Sequence, residues 1–414
     1  MLFAMLSMIL GLPGPYALVI DPSINAFIIQ WIVLLFAYLF LKNILPENQK
    51  NLCWAGVWIF GLGFWMGTGA YLGSSTVGYI LLLIVLVLLT KKSSLPQNLR
   101  TSERRLLTIL TLACVTITHL LSSFVTFAAV AMLRITKRIN STTLVTFGAV
   151  VLLAWLMYEA TAFFEGNVPR FIEQALRLDI ILEKGVVERV AGSEMRQAVS
   201  MCRIVLSVLF LAIGFLGFIF SRRAKKSIYS DNTAVAIAFA FLAVGAILSY
   251  GGGKEVPERT YHFLLPVLAY FGVKLLSRKS TAIVLCTLLL VALPLRFVSQ
   301  YGAEVYEHLP PSRIAASHFF ADHTTEGEVV GIGGFERIEH YKKAYFGRLG
   351  GDMPLLPEPK ITPQYVGIGS SIRGRLYYLY NDTCTVDYIQ DLVEHSSDYN
   401  SIYVNNDVSL YIRE

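Results

Sequence analysis

The feature that most constrains this chain is a succession of apolar runs whose connections alternate in charge. The runs lie near residues 24–41, 52–67, 76–89, 106–118, 120–133, 143–164, 204–220, 233–250, 261–276 and 281–298. A helix needs about 20 apolar residues to cross a bilayer. Several runs are shorter, so such spans must tilt little, thin the bilayer locally or sit inside a bundle. The connections KNILPENQK (42–50), KKSSLPQNLRTSERR (91–105), RITKR (134–138), SRRAKK (221–226) and SRK (277–279) are basic and fall at every second position. The others are TGAYLGSS (68–75), the turn at His119, the long connection 165–203, and the loop that begins GGGKEVPERT at Gly251. The lysine and arginine bias places the basic connections in the cytoplasm. The remaining connections, and everything after Val298, are then external.

Composition agrees. Of 414 residues, 55% are hydrophobic and 15% charged, and the mean hydropathy is +0.56. Soluble chains are charged at about a quarter of their positions. The sequence therefore predicts a membrane all-α polytopic bundle of about ten or eleven transmembrane helices over 1–298. A small external α+β domain follows over 299–414. The expected location is a plasma membrane, crossed many times. A net charge of +6 suits nucleic acid in other contexts, but here the cations sit in short loops as the positive-inside rule requires, so no nucleic-acid partner is expected. The opening MLFAMLSMILGLPG lacks the basic start of a signal peptide and reads as a short first helix ended by Gly11, Pro13 and Gly14. Of five cysteines only Cys384 lies in the tail, and no CxxC pair occurs. Neither a zinc site nor a disulfide framework is expected.

The tail 299–414 mixes turn residues, charges and short alternating runs. Helices are predicted near 311–323 and 385–395. The closing YNSIYVNNDVSLYI predicts two strands joined through Asn405, Asn406 and Asp407. Connection 165–203 alternates charged and apolar residues, as in an interfacial amphipathic helix or a helix packed on a partner.

Candidate functional residues cluster on the external side. In GGGKEVPERTYHFLLP a glycine-rich turn frees backbone N–H groups for an anion. Lys254 and Arg259 add charge there, and the planar guanidinium can grip two phosphate oxygens. His262 begins the next apolar run. Together Arg259, Lys254 and His262 form a candidate site for a lipid phosphate; a solvated loop with internal ion pairs is the bland alternative. His119 divides TITHLLSS, and an ionisable residue at such a place is a functional candidate. Ser122 and Ser123 are candidate caps of the helix that follows. Glu159 interrupts an apolar run, and Asp21 precedes the first full span, either as a helix cap or as a catalytic acid. GIGGF (331–335) lacks the spacing of a dinucleotide loop and reads as a strand entering a turn. Asn381 heads an external glycosylation sequon.

Three passages carry a likeness. ITHLLSSFVTF, PERTYHFLLPVLAY and the closing strand pair resemble corresponding segments of the GT-C-type polytopic membrane glycosyltransferases, in particular the prokaryotic group with a small external C-terminal domain. The resemblance implies transfer of a sugar from a polyprenyl-phosphate carrier on the external face, for a surface glycan or glycoprotein. It implies that a carboxylate takes the acceptor's proton and that cations stabilise the departing phosphate. Carried over by position, Arg259 holds the phosphate and His119 lies near it. The family's DxD-like motif is missing from an external loop near the start, so Asp21 or Glu159 stands in for it, or that portion is supplied separately. The implied partners are a lipid-linked sugar, membrane lipids and another membrane subunit; a divalent cation is the candidate cofactor. The competing readings are a non-catalytic subunit that pairs with a second chain or anchors a surface assembly, a transporter or flippase, and an O-antigen polymerase or ligase.

Overall fold

The computed structural model describes residues 22–65, 74–90, 101–158, 192–224, 228–249, 255–277, 279–302, 315–316, 319, 329–332, 365–369, 377–378, 384–404 and 408–413. The chain divides into two compact units. One comprises Met1–Val187 with Cys202–Gln300, the other Glu188–Met201 with Tyr301–Glu414.

The first unit is helical: α1 (Pro22–Ile44), α2 (Cys53–Gly63), α3 (Ser74–Thr90), α4 (Thr101–Thr118), α5 (Leu120–Ile135), α6 (Thr142–Tyr158), α7 (Glu194–Ala224), α8 (Ile228–Ser249), α9 (Glu255–Lys274) and α10 (Lys279–Tyr301). Residues 194–201 of α7 group with the second unit. These helices coincide with the apolar runs of the sequence. Proline opens α1, where its missing N–H costs nothing. Several threonines point their hydroxyls at the carbonyl four residues back, as Thr108 does at 2.8 Å, Thr116 at 2.9 Å and Thr126 at 2.6 Å. That satisfies a polar group within its own helix, so threonine can be buried among apolar neighbours. Among the described residues, two helices, Glu194–Arg223 and Lys279–Tyr301, are long and apolar enough to cross a membrane, and only 11% of the apolar window of the second is buried. Shorter apolar helices accompany them, among them Ser75–Thr90 and Leu120–Ile135.

One continuous apolar core draws on all ten helices, with Phe40, Phe60, Leu83, Phe210, Phe241 and Tyr270 among its buried members. Contacts at the helix ends show the helices running up and down. Asn43 at the end of α1 donates to the Val87 carbonyl near the end of α3 at 3.0 Å. Near the start of α9, Tyr261 donates to the Gly63 carbonyl at the end of α2 at 2.9 Å. Close crossings rest on small residues. A Cβ on Gly217 would lie 2.0 Å from the Phe271 carbonyl oxygen, so α7 and α9 meet backbone to backbone there.

The second unit holds a four-stranded sheet, ordered β1 (Val329–Ile332), β2 (Tyr365–Gly369), β4 (Val408–Arg413), β3 (Tyr399–Val404). β1 and β2 are parallel; β2–β4 and β4–β3 are antiparallel. Helix α11 (Thr385–Glu394) precedes β3. Ala316, Val408 and Leu410 form a small core, with Phe319 stacked on Tyr403 at 4.6 Å. The final strand pair and the helix near 385–395 match the sequence reading. The turn at 405–407, the first short helix, most of the helix expected over 311–323, the helix expected within 165–203 and Asn381 lie outside the described residues.

Candidate functional site

The site is built from the ends of α2 and α3, the α4–α5 turn at His119, the start of α9 and residues of α7 and α10. His119 interrupts the α4–α5 run for one residue with extended backbone, φ −156° and ψ 115°. It occupies the N-cap of α5, and Ser123 N–H donates to its carbonyl at 3.0 Å. Ser122 and Ser123 were the expected caps; both instead lie buried inside the first turn of α5. Ser123 donates its hydroxyl back to the Val115 and His119 carbonyls, at 2.9 and 2.8 Å. Because the histidine takes the break in the helix, the serines fall three and four positions past the cap. Gly78 of α3 packs against this turn; a Cβ there would stand 2.8 Å from that of His119.

Arg259 lies 140 positions further along the chain, in the first turns of α9. Its Nη1 is 2.7 Å from Nε2 of His119. Arginine has only donors, so this contact fixes the histidine: Nε2 accepts, and the ring proton sits on Nδ1. Nδ1 then donates to Ser122 Oγ at 2.9 Å. The Ser122 backbone N–H approaches the same Nδ1 at 3.2 Å, but a nitrogen that carries a proton in the ring plane cannot also accept. The shorter, charge-assisted contact decides. Burial first, then the charge of Arg259, lowers the His119 pKa from 6.5 to about 4. The imidazole is neutral at pH 7, as the contact requires.

His262 is one turn beyond Arg259 and only 1% exposed. Its Nδ1 donates to the Glu258 carbonyl at 2.7 Å, leaving Nε2 as an acceptor. Trp65, Phe64 and Tyr261 surround the ring edge-on at centroid distances of 4.6, 5.3 and 5.1 Å. Nε2 is buried without a hydrogen-bond partner among the described residues. In this tautomer His262 offers no donor to a phosphate; it is a buried acceptor in an aromatic cage. The Tyr79 hydroxyl donates to its carbonyl at 2.9 Å, tying α3 to α9.

Two further arginines, not singled out from the sequence, reach the same end. Arg203 of α7 lies over the Trp65 ring at 5.2 Å and donates from Nε to the Ser299 carbonyl at 2.9 Å. Arg296 of α10 donates from Nε to the Gly61 carbonyl at 2.8 Å and pairs with Gln300. Their charges act on the His262 ring. Arg296 had a signal in the sequence, an arginine within an apolar run; Arg203 sits at the edge of one and had none.

Of the expected site residues, the structure thus brings His119, Arg259 and His262 into one region. Asp21, Glu159 and Lys254 lie outside the described residues. Among the described residues, no group of three or more His, Cys, Asp and Glu side chains is placed to hold a metal ion. Comparison with known proteins finds no matching family, curated protein or solved structure.

Proposed function

We propose that this is a multi-pass membrane protein that binds the phosphate of a polyprenyl-linked sugar at the His119–Arg259 end and transfers the sugar there. The observation that carries this reading is the 2.7 Å contact between Arg259 and neutral His119, with Arg203 and Arg296 at the same end of the helices. Cations concentrated where the basic connections are not have no role in orienting the chain by the positive-inside rule. A lipid phosphate gives them one. The multi-pass reading is supported by the exposed Trp54, Trp58, Phe215, Leu290 and Phe297 on the helices. So much bare apolar surface marks a membrane or protein contact. The sheet-bearing unit is then external.

In this reading the acceptor hydroxyl attacks the anomeric carbon, and the bond from that carbon to the phosphate oxygen breaks. The hydroxyl proton passes to a carboxylate, for which Asp21 and Glu159 are the candidates. The polyprenyl phosphate departs with the negative charge, which Arg259 stabilises. His119 is a positioning residue here. Its Nε2 lone pair is held by Arg259 and its pKa is about 4, so it is a poor base at neutral pH and a good strut behind the guanidinium.

The test is sugar release from a polyprenyl-phosphate-linked donor by the purified chain, beside Arg259→Ala. Turnover in the parent that falls at least about 100-fold in a well-folded variant supports transfer at this site. Turnover untouched by the substitution removes Arg259 from it. No turnover with retained, Arg259-dependent donor binding favours the non-catalytic reading, in which a second chain supplies the acid.

A further inference from the structure

A cavity of about 260 Å³ opens at the other end of the helical unit. Arg104 and Arg105 line it from the first turn of α4, and His119 follows the last residue of the same helix. At 1.5 Å rise per residue the two places are about 20 Å apart. Arg138, after α5, completes a trio of guanidiniums, and Asn140 and Ser141 add polar groups. None of the described residues lining the cavity is acidic.

Helix dipoles do not set the sign of this cavity. The starts of α4, α6 and α8 line it, but so do the ends of α1, α3 and α5, and half-charges of opposite sign offset one another. The formal charges decide. The nearest buried carboxylate on a lining helix, Asp231 of α8, is already engaged. It accepts from Ser221 at 2.5 Å and Tyr270 at 2.6 Å, with Lys274 at 3.8 Å. Burial lowers the pKa of the Arg104 guanidinium, so an anion brought to it would relieve a cost.

From this geometry we propose that the cavity binds the phosphate group of an acidic membrane lipid. Drug-sized ligands occupy roughly 300–1,000 Å³; this cavity is smaller and suits a headgroup rather than a whole molecule. Three arginines match phosphate oxygens in charge and in their paired donors. The cavity lies beside the basic connections, where the positive-inside rule puts the cytoplasmic leaflet with its acidic lipids. The lipid source rests on the multi-pass reading; the anion site itself does not.

The experiment is thermal unfolding of the purified full chain in a neutral detergent. Dioctanoyl phosphatidylglycerol, dioctanoyl phosphatidylcholine and inorganic phosphate are titrated separately. Phosphatidylglycerol is expected to raise the Tm by about 5 °C at saturation, with phosphatidylcholine inert. Arg104→Gln/Arg105→Gln, which retains good helix formers at both positions, should unfold like the parent without ligand and lose most of the shift. Arg259→Gln should keep it, which separates this site from the one at the opposite end. An equal shift with inorganic phosphate supports the anion site and assigns it a free phosphate. Equal shifts with both lipids, or a shift that survives the double substitution, overturn the proposal. So does a shift lost only with Arg259→Gln.

Discussion

The two ends of the helical unit use the same residue type in opposite ways. Around His119 the arginines are committed. Arg259 is docked on an imidazole, Arg203 on a backbone carbonyl and an indole, and Arg296 on a carbonyl and an amide. At the other end Arg104, Arg105 and Arg138 line an open cavity, while the buried carboxylate of Asp231 on α8 is engaged by Ser221 of α7 and by Tyr270 and Lys274 of α9. An arginine whose donors are already oriented is ready for a ligand at little entropic cost. An arginine beside empty space gains most from whatever anion arrives. The first end is thus built for geometry and the second for charge.

The largest expected break is at the cavity end. Asp231→Ala leaves Lys274, itself 6% exposed, without its counter-charge. That should cost about 3–5 kcal/mol, the usual penalty for orphaning a buried partner. It reads out as a lost or strongly lowered Tm, and Asp231→Asn/Lys274→Met should recover much of it. A stable Asp231→Ala variant would mean that the cluster contributes no more than an exposed pair.

Next comes Gly78→Leu at the histidine end. Even its Cβ would fall 2.8 Å from the His119 Cβ and 2.9 Å from Ser122 Oγ. Overpacking of this kind costs about 1–3 kcal/mol. It should also loosen the Arg259 contact, so donor binding should weaken more than stability does. Equal losses would show a packing role alone.

The third test is pH. The unfolded His119 titrates near 6.5 and the folded one near 4. Between those values the unfolded chain binds the extra proton, so stability contributed here is complete above about 6.5 and is lost as pH falls towards 4. The Tm of the parent should drop across that window, and the drop should be shallower in His119→Asn. Parallel profiles would place the acid sensitivity elsewhere. The smallest effect lies in the sheet-bearing unit. The Tyr411 hydroxyl donates to Glu394 at 2.8 Å, and Tyr411→Phe should cost about 0.5–1.5 kcal/mol with no change in ligand binding at either end.

Much of the fold was legible in the sequence, because it rests on local periodicity. The apolar runs became helices, the one-residue break at His119 was visible as THLL, and the last two strands announced themselves by alternation. Serine is the commoner cap, so the sequence points to Ser122 and Ser123, whereas His119 holds the N-cap position and also meets Arg259. Asp231 carries no signal in the sequence, since an aspartate at a helix start ordinarily faces water. Here Tyr270 and Lys274 from α9 bury it.

The sequence by itself determined which segments are helical, which connections are basic and where the chain changes to an α+β tail with a closing strand pair; each follows from residues within a few turns of one another. Only the tertiary structure decided that Arg259 meets His119 across 140 positions, that Arg203 and Arg296 converge there, and that three arginines from two connections frame one cavity. The reason is physical. Periodicity specifies the face a helix buries, but the partner that covers it is chosen by packing, here by glycines such as Gly217 that let particular backbones meet.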